Sequence, residues 1–239
     1  MIKMVLFDLD GTLLPMDQDE FTTGYFKMLC KKLIPFGYNP DELIQAVWKG
    51  ISAMVINDGK MTNEEAFWIA FKNLLGEQVL EHKYIFEDFY ANEFEAAKAF
   101  CGFNKMAAET IALVKEMGFR VALATNPLFP QIATMKRIGW AGLDADDFEL
   151  VTTYENSHSC KPNPAYYLEV VKELGVDPTE CLMVGNDVKE DLIAETVGMK
   201  VFLLTDCAIN KDHQDVSKYP QGDFVALQAY LRSLGEEKS

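Results

Sequence analysis

The first apolar positions form an unbroken run. Met4-Val5-Leu6-Phe7 is followed by Asp8-Leu9-Asp10 and a Gly11-Thr12 turn. Consecutive apolar residues ended by turn chemistry predict a parallel strand buried on both faces. From Asp17 to about Phe100 the rhythm is helical, and no strand is predicted. Asp19 to Ile34 places Phe21, Tyr25, Met28, Leu29 and Leu33 on one helical face. Pro40-Asp41-Glu42 reads as a helix start, with Leu43, Ile44, Val47, Trp48 and Ile51 turned inward. Thr62-Asn63-Glu64-Glu65 is a capping-box pattern ahead of Phe67, Ile69, Ala70, Phe71, Leu74 and Leu75, and Gly76 can end that helix. Helical material continues from Val79 to Ala99.

From Gly102 the pattern alternates. Helices are predicted over 106–117, 130–138, 163–174 and 189–197, and strands over 119–124, 148–152, 181–184 and 200–204. Such alternation implies an α/β fold: a Rossmann-like parallel sheet with helices on both faces. The first strand belongs to the same sheet, so the helical block is an insertion after strand one, large enough for a small bundle. The expected organisation is a core of residues 1–16 and 100–239 with an inserted helical cap over 17–99. Two chain crossings, near 14–17 and 98–104, would let the cap hinge over the sheet.

Composition narrows the functional classes. The 239 residues carry a net charge of −15, which works against nonspecific binding to nucleic acid or to an anionic membrane. No apolar run is long enough to span a bilayer, and Asp8 and Asp10 interrupt any signal-peptide pattern. The five cysteines, Cys30, Cys101, Cys160, Cys181 and Cys207, are widely spaced and form no Cys-x-x-Cys, which fits reduced thiols in a cytoplasmic protein. Only His82, His158 and His213 could supply imidazole, so a histidine metal site is not expected.

Polar residues gather where strands are predicted to end, the place where open α/β sheets bind ligands. Asp8 and Asp10 repel one another unless a cation or a shared proton intervenes, and a hard divalent ion such as magnesium suits their oxygens. Thr125-Asn126 follows Ala122-Leu123-Ala124, where a hydroxyl and turn amides could take a phosphate oxygen. Lys161 sits in a stretch stiffened by Pro162 and Pro164. Gly185-Asn186-Asp187 with Asp191 repeats the pattern of acids after an apolar strand. Taken singly, each has a plain structural reading: a solvated turn, an exposed lysine, acids suited to a helix dipole. Taken together, they make one constellation at one sheet edge.

In this order the motifs Asp8-Leu9-Asp10-Gly11-Thr12, Thr125, Lys161-Pro162 and Gly185-Asn186-Asp187 with Asp191 resemble the haloacid dehalogenase superfamily, in its branch with a helical cap after strand one. The resemblance implies magnesium-dependent phosphoryl transfer through an aspartyl-phosphate. Asp8 would be the nucleophile and Asp10 the general acid and base. Thr125, Asn126 and Lys161 would contact the phosphoryl group. Asp8, Asp10 through its carbonyl, and Asp187 would hold the metal, with Asp191 and Asn186 behind them. Many relatives place the last acid directly after glycine, whereas Asn186 intervenes here; an anionic oxygen is the better magnesium ligand, which favours Asp187. Relatives that remove halide lack a carboxylate at the Asp10 position, so the resemblance implies a phosphatase acting on a small phosphorylated metabolite. A phosphomutase of the β-phosphoglucomutase type would share these core residues, and a phospho-acceptor signalling domain is a further alternative. Residues 15–25, Trp48 and Trp68 are candidates for the cap surface over the leaving group, although helical spacing places the two tryptophans in the bundle core.

Overall fold

The computed structural model describes residues 1–236. After strand β1 (Met4–Phe7) the chain runs through five helices without a strand: α1 (Gln18–Leu33), α2 (Pro40–Val55), α3 (Asn63–Leu75), α4 (Gln78–Glu81) and α5 (Lys83–Ala91), closed by a 3-10 segment at Glu93–Phe100. It then alternates: α6 (Lys105–Glu116), β2 (Arg120–Leu123), α7 (Gln131–Trp140), α8 (Pro164–Leu174), β3 (Cys181–Gly185), β4 (Lys200–Leu204), β5 (Gln221–Gly222) and α9 (Phe224–Glu236).

The strands are parallel in the order β2-β1-β3-β4-β5. Alternate residues of each strand feed opposite faces. Val5 and Phe7 join the core that includes Ile111 and Val114 of α6 and Leu227 and Leu231 of α9; Met4 and Leu6 pack with Tyr166, Tyr167 and Val170 of α8. This double burial is what the apolar run of β1 foretells. Because β2 and β3 flank β1 on opposite sides, the winding reverses at β1. The crevice beyond its carboxyl end is therefore the topological switch point.

Local chemistry fixes the helices over that crevice. Asp17 caps α1, Asn39 caps α2, and Thr62 and Glu65 form a reciprocal capping box on α3. The two passages between helices and sheet lie side by side through a Met16–Cys101 bridge, with Gly102 N–H donating to Pro15 at 2.6 Å. The amino end of α3 is clasped to the sheet-side loops: Asn63 N–H donates to Ser157 O (2.8 Å), Glu64 N–H to Tyr154 O (2.8 Å), and the Asn63 amide to Ser159 O (3.1 Å).

Several expectations need correction. Phe148–Thr152 is not a strand: it follows the edge of β2, with Leu123 N–H donating to Leu150 O (2.8 Å), but makes a single bridge through Val151. Glu149 N–H and Thr152 N–H still donate to Val121 O (2.9 Å) and Leu123 O (3.1 Å), while the Thr152 hydroxyl donates to Thr125 O (2.7 Å) and ties the end of the segment to the turn after β2. The helix expected over 189–197 is a 3-10 segment at Leu192–Val197. Asp187 Oδ1 accepts from Lys189 and Glu190 N–H at 2.8 and 3.0 Å, and this side-chain turn replaces the first helical bonds. Helical material over 79–99 is divided into α4, α5 and the 3-10 segment, and β5 and α9 lie beyond the last element the pattern predicts. No helix among the described residues is long and apolar enough to cross a membrane.

Candidate active site

The run of β1 ends in a tight reversal in which Leu14 N–H donates to Leu9 O (2.8 Å) and Gly11 N–H to Leu14 O (2.8 Å). Gly11 has φ +85°, and a Cβ there would stand 2.3 Å from Asn186 Nδ2, so the turn requires glycine on both counts. This reversal turns Asp8 and Asp10 into a cavity of about 450 Å³ between sheet and helices.

Asp8 is buried and held on both oxygens. Lys161 donates to Oδ1 at 2.9 Å, and the Thr12 hydroxyl lies 3.2 Å from Oδ2 and 2.9 Å from Asn186 Oδ1. Burial pushes the Asp8 carboxyl up to about 7; Lys161 opposes the shift, while Asp191 and Asp10 reinforce it. Lys161 also donates to Asp191 Oδ1 at 2.6 Å. Burial disfavours its ammonium, but Asp191 and Asp8 together hold it well above the ordinary lysine value, so it remains charged. Asp191 in turn accepts from Asp187 N–H at 2.9 Å.

The residues singled out from sequence thus converge at the strand ends. Thr125 and Asn126 follow β2 at the cavity, and Asn186 and Asp187 follow β3. The side-chain nitrogen of Asn126 is committed to Glu190 Oε2 (2.9 Å). Asp187 is raised by burial, opposed by the two backbone bonds to its Oδ1.

Three contributors lie outside that set. Thr12 bridges Asp8 to Asn186. Glu190, pushed up to about 8 chiefly by burial, fixes Asn126. Arg137 of α7 is 0% exposed; it donates to Asp10 Oδ2 and to Thr134 Oγ1 (3.2 Å), and its guanidinium lies 4.4 Å from the Phe129 ring centroid. One signal could have found it: Arg137 shares the inward face of α7 with Ala133, Thr134 and Ile138, and a buried arginine demands an anion. Trp48 is a correction: it is 50% exposed and lines the cavity instead of filling the bundle core, whereas Trp68 both lines the cavity and packs against the core beside Phe71 and Phe86.

The floor of the cavity suits a hard cation. Asp8, Asp10, Asp187, Glu190 and Asp191 outnumber the cations Lys161 and Arg137, and Asp10 Oδ1 is buried without a partner. All available donors are oxygens, the set magnesium prefers. Among the described residues no three carboxylates, histidines or cysteines form a metal cluster by themselves, so a bound ion would take further oxygens from main chain, water or ligand.

Gly185 provides a test of the floor's packing. A Cβ there would meet Asp191 Oδ2 at 2.1 Å and Cγ at 2.2 Å. Gly185→Ala must displace Asp191 from Lys161 and from Asp187 N–H. The expected cost is about 1–3 kcal/mol, a fall of roughly 2–10 °C in the melting midpoint measured by circular dichroism. An unchanged midpoint would mean that the floor repacks freely.

A family model described as haloacid dehalogenase-like hydrolase matches residues 2–194. YhcW of Bacillus subtilis is 28% identical over 211 residues, 85% of this chain and 84% of its own length. A phosphoglycolate phosphatase of Vibrio vulnificus is 25% identical over 236 residues, 94% and 92% of the two chains. Among solved structures, a 2-haloacid dehalogenase from Pseudomonas syringae superposes with a TM-score of 0.63 at 19% identity, covering 98% of this chain and 99% of that one. The last likeness shows the shared fold and leaves the chemistry to the site residues.

Proposed function

We propose that this chain, which belongs to the haloacid dehalogenase-like hydrolases, is a magnesium-dependent phosphatase that hydrolyses a small-molecule phosphate monoester through an aspartyl-phosphate on Asp8. The observation that carries this reading is the pair of strand-end carboxylates: Asp8 held by Lys161 at 2.9 Å, and Asp10 facing the same cavity. A halide leaving carbon needs no proton, whereas an alkoxide leaving phosphorus does, so a carboxylate beside the nucleophile is matched to ester hydrolysis. The phosphatase name of the Vibrio vulnificus relative supports the same class.

In the proposed reaction an Asp8 oxygen bonds to phosphorus as the bond from phosphorus to the alcohol oxygen breaks. Protonated Asp10 gives its proton to the departing oxygen. The resulting Asp10 carboxylate takes a proton from the water that attacks the acyl phosphate, which releases inorganic phosphate and restores both acids. Lys161, fixed between Asp8 and Asp191, keeps positive charge beside the phosphoryl group. The Thr125 hydroxyl and the main-chain N–H of Asn126 take phosphoryl oxygens. Asp8, Asp187 and the main-chain carbonyl of Asp10 would hold magnesium, whose charge offsets the repulsion between nucleophile and substrate. Residues 17–99 serve as the cap: the clasp at Asn63 holds it closed and excludes water, and the passages at Met16 and Cys101 allow it to open.

Phosphate release from a panel of small monoesters tests the reading directly. With magnesium, at least one ester is turned over; with excess chelator, the rate falls by about 100-fold or more and returns on adding the metal. Release that persists in chelator would remove magnesium from the scheme.

A further inference from the structure

Above its acidic floor the cavity is walled by aromatic rings, and five of them are only partly covered by protein. Trp48 of α2, Phe67 and Trp68 of α3, Tyr90 of α5 and Phe129 after β2 all border the space over Asp8 and Asp10. Phe67 and Trp68 meet edge to face (5.6 Å, 86°), and Trp68 meets Phe86 in the same way (5.5 Å, 88°). Edge-to-face contacts of this kind build corners and leave ring surface for another flat group.

The charged and hydroxyl groups that these rings carry or adjoin are largely paired, and the Trp68 indole N–H is the one buried ring donor without a hydrogen-bond partner among the described residues. The Tyr25 and Tyr90 hydroxyls bond to each other at 2.7 Å, and Lys83 bonds to Glu64 at 2.5 Å. Arg137 is taken by Asp10, and Lys161 by Asp8 and Asp191. Every cationic side chain that borders this cavity or its floor, among the described residues, therefore already faces a carboxylate. A leaving group with its own carboxylate or second phosphate would enter an acidic chamber and find its cations committed, at a cost in desolvation. A flat apolar body would bury its surface against rings that have area to offer.

We propose that the substrate is a phosphate monoester whose alcohol carries an aromatic or heteroaromatic body and no further anionic group, recognised by the rings of Trp48, Phe67, Trp68, Tyr90 and Phe129. The inference rests on the phosphatase reading above. A cavity of about 450 Å³ accommodates a phosphoryl group with one or two fused rings and is of ordinary size for a ligand pocket. The reaction itself is unchanged; the rings place the alcohol oxygen before Asp10.

The test compares kcat/KM for phosphate release from 3-phenylpropyl phosphate, 3-hydroxypropyl phosphate and phosphoglycolate. All three release primary alkoxides, so differences report recognition more than leaving-group reactivity. The aromatic ester is expected to lead by about 10–100-fold, from burial of one ring and its aromatic contacts. Trp48→Ala and Trp68→Ala should each shrink that ratio several-fold. Trp48 is half exposed, so its variant is the less dependent on packing. Equal or better turnover of phosphoglycolate would overturn the substrate class and leave the phosphatase reading standing. No release from any of the three would count against the phosphatase reading. Quenching of tryptophan fluorescence by 3-phenylpropylphosphonate and 3-hydroxypropylphosphonate then decides the inference: tighter binding of the aromatic phosphonate supports it, and equal affinity overturns it.

Discussion

Asp8→Asn is expected to abolish phosphate release, by about 10⁴–10⁶-fold in kcat, while the protein folds as well as before. The two halves of this expectation have different origins. The amide keeps the shape of the carboxylate but lacks the anionic oxygen that attacks phosphorus, and a donor then stands where an acceptor was. In the fold, the carboxylate is the costly partner: Asp8 is buried beside Asp191 and Asp10, and burial raises its carboxyl to about 7. An amide has no charge to desolvate, and Lys161 keeps Asp191 at 2.6 Å. The melting midpoint should therefore hold or rise in metal-free protein. Inactivity together with an unchanged or higher midpoint assigns Asp8 to chemistry. A variant that retains a tenth of the wild-type rate would exclude it as the nucleophile.

How much of this site the sequence reveals depends on the range over which each residue's reason acts. The β1 run, the capping box at Thr62 and the acids at the ends of β1 and β3 owe their patterns to neighbours within a few positions, so local periodicity and turn chemistry expose them. Lys161 is legible through its place just before Pro162 and Pro164, although the partners that give it meaning lie 153 and 30 residues away. The partners of Arg137 and Glu190 are not legible by such means. The inward face of α7 marks Arg137 as needing an anion, but Asp10 lies 127 positions away, and Glu190 reaches Asn126 across 64, so no local pattern names either partner. Trp48 misleads for a related reason. A helix's apolar stripe predicts which face turns away from water, but the same stripe serves a packed core and the wall of a cavity. The edge segment 148–152 fails differently: it keeps backbone bonds to β2, from Glu149 N–H to Val121 O and from Thr152 N–H to Leu123 O, but makes a single bridge and stops short of a strand.

Asp10→Asn should cut turnover of alkyl phosphates by about 10²–10⁴-fold, the usual contribution of general acid catalysis. Its dependence on the leaving group is the informative part. p-Nitrophenolate departs without a proton, so the first step with p-nitrophenyl phosphate should suffer far less than with 3-phenylpropyl phosphate. Arg137 complicates a simple rate comparison. Its guanidinium is wholly buried against Asp10, Thr134 and Phe129, and removing one partner of a buried ion pair costs about 3–5 kcal/mol because the other charge is stranded. Asparagine retains an oxygen that can accept from Arg137, so the cost should fall below that range, but some destabilisation is expected. Loss of folded protein lowers the rates for both esters by one factor. Loss of a proton donor lowers the alkyl ester selectively. A burst of p-nitrophenolate followed by slow turnover would show acyl phosphate formed and then stranded for want of a base to activate water. Equal losses on the two esters without a burst would mean that Asp10 serves Arg137 and the fold, and that the proton comes from elsewhere.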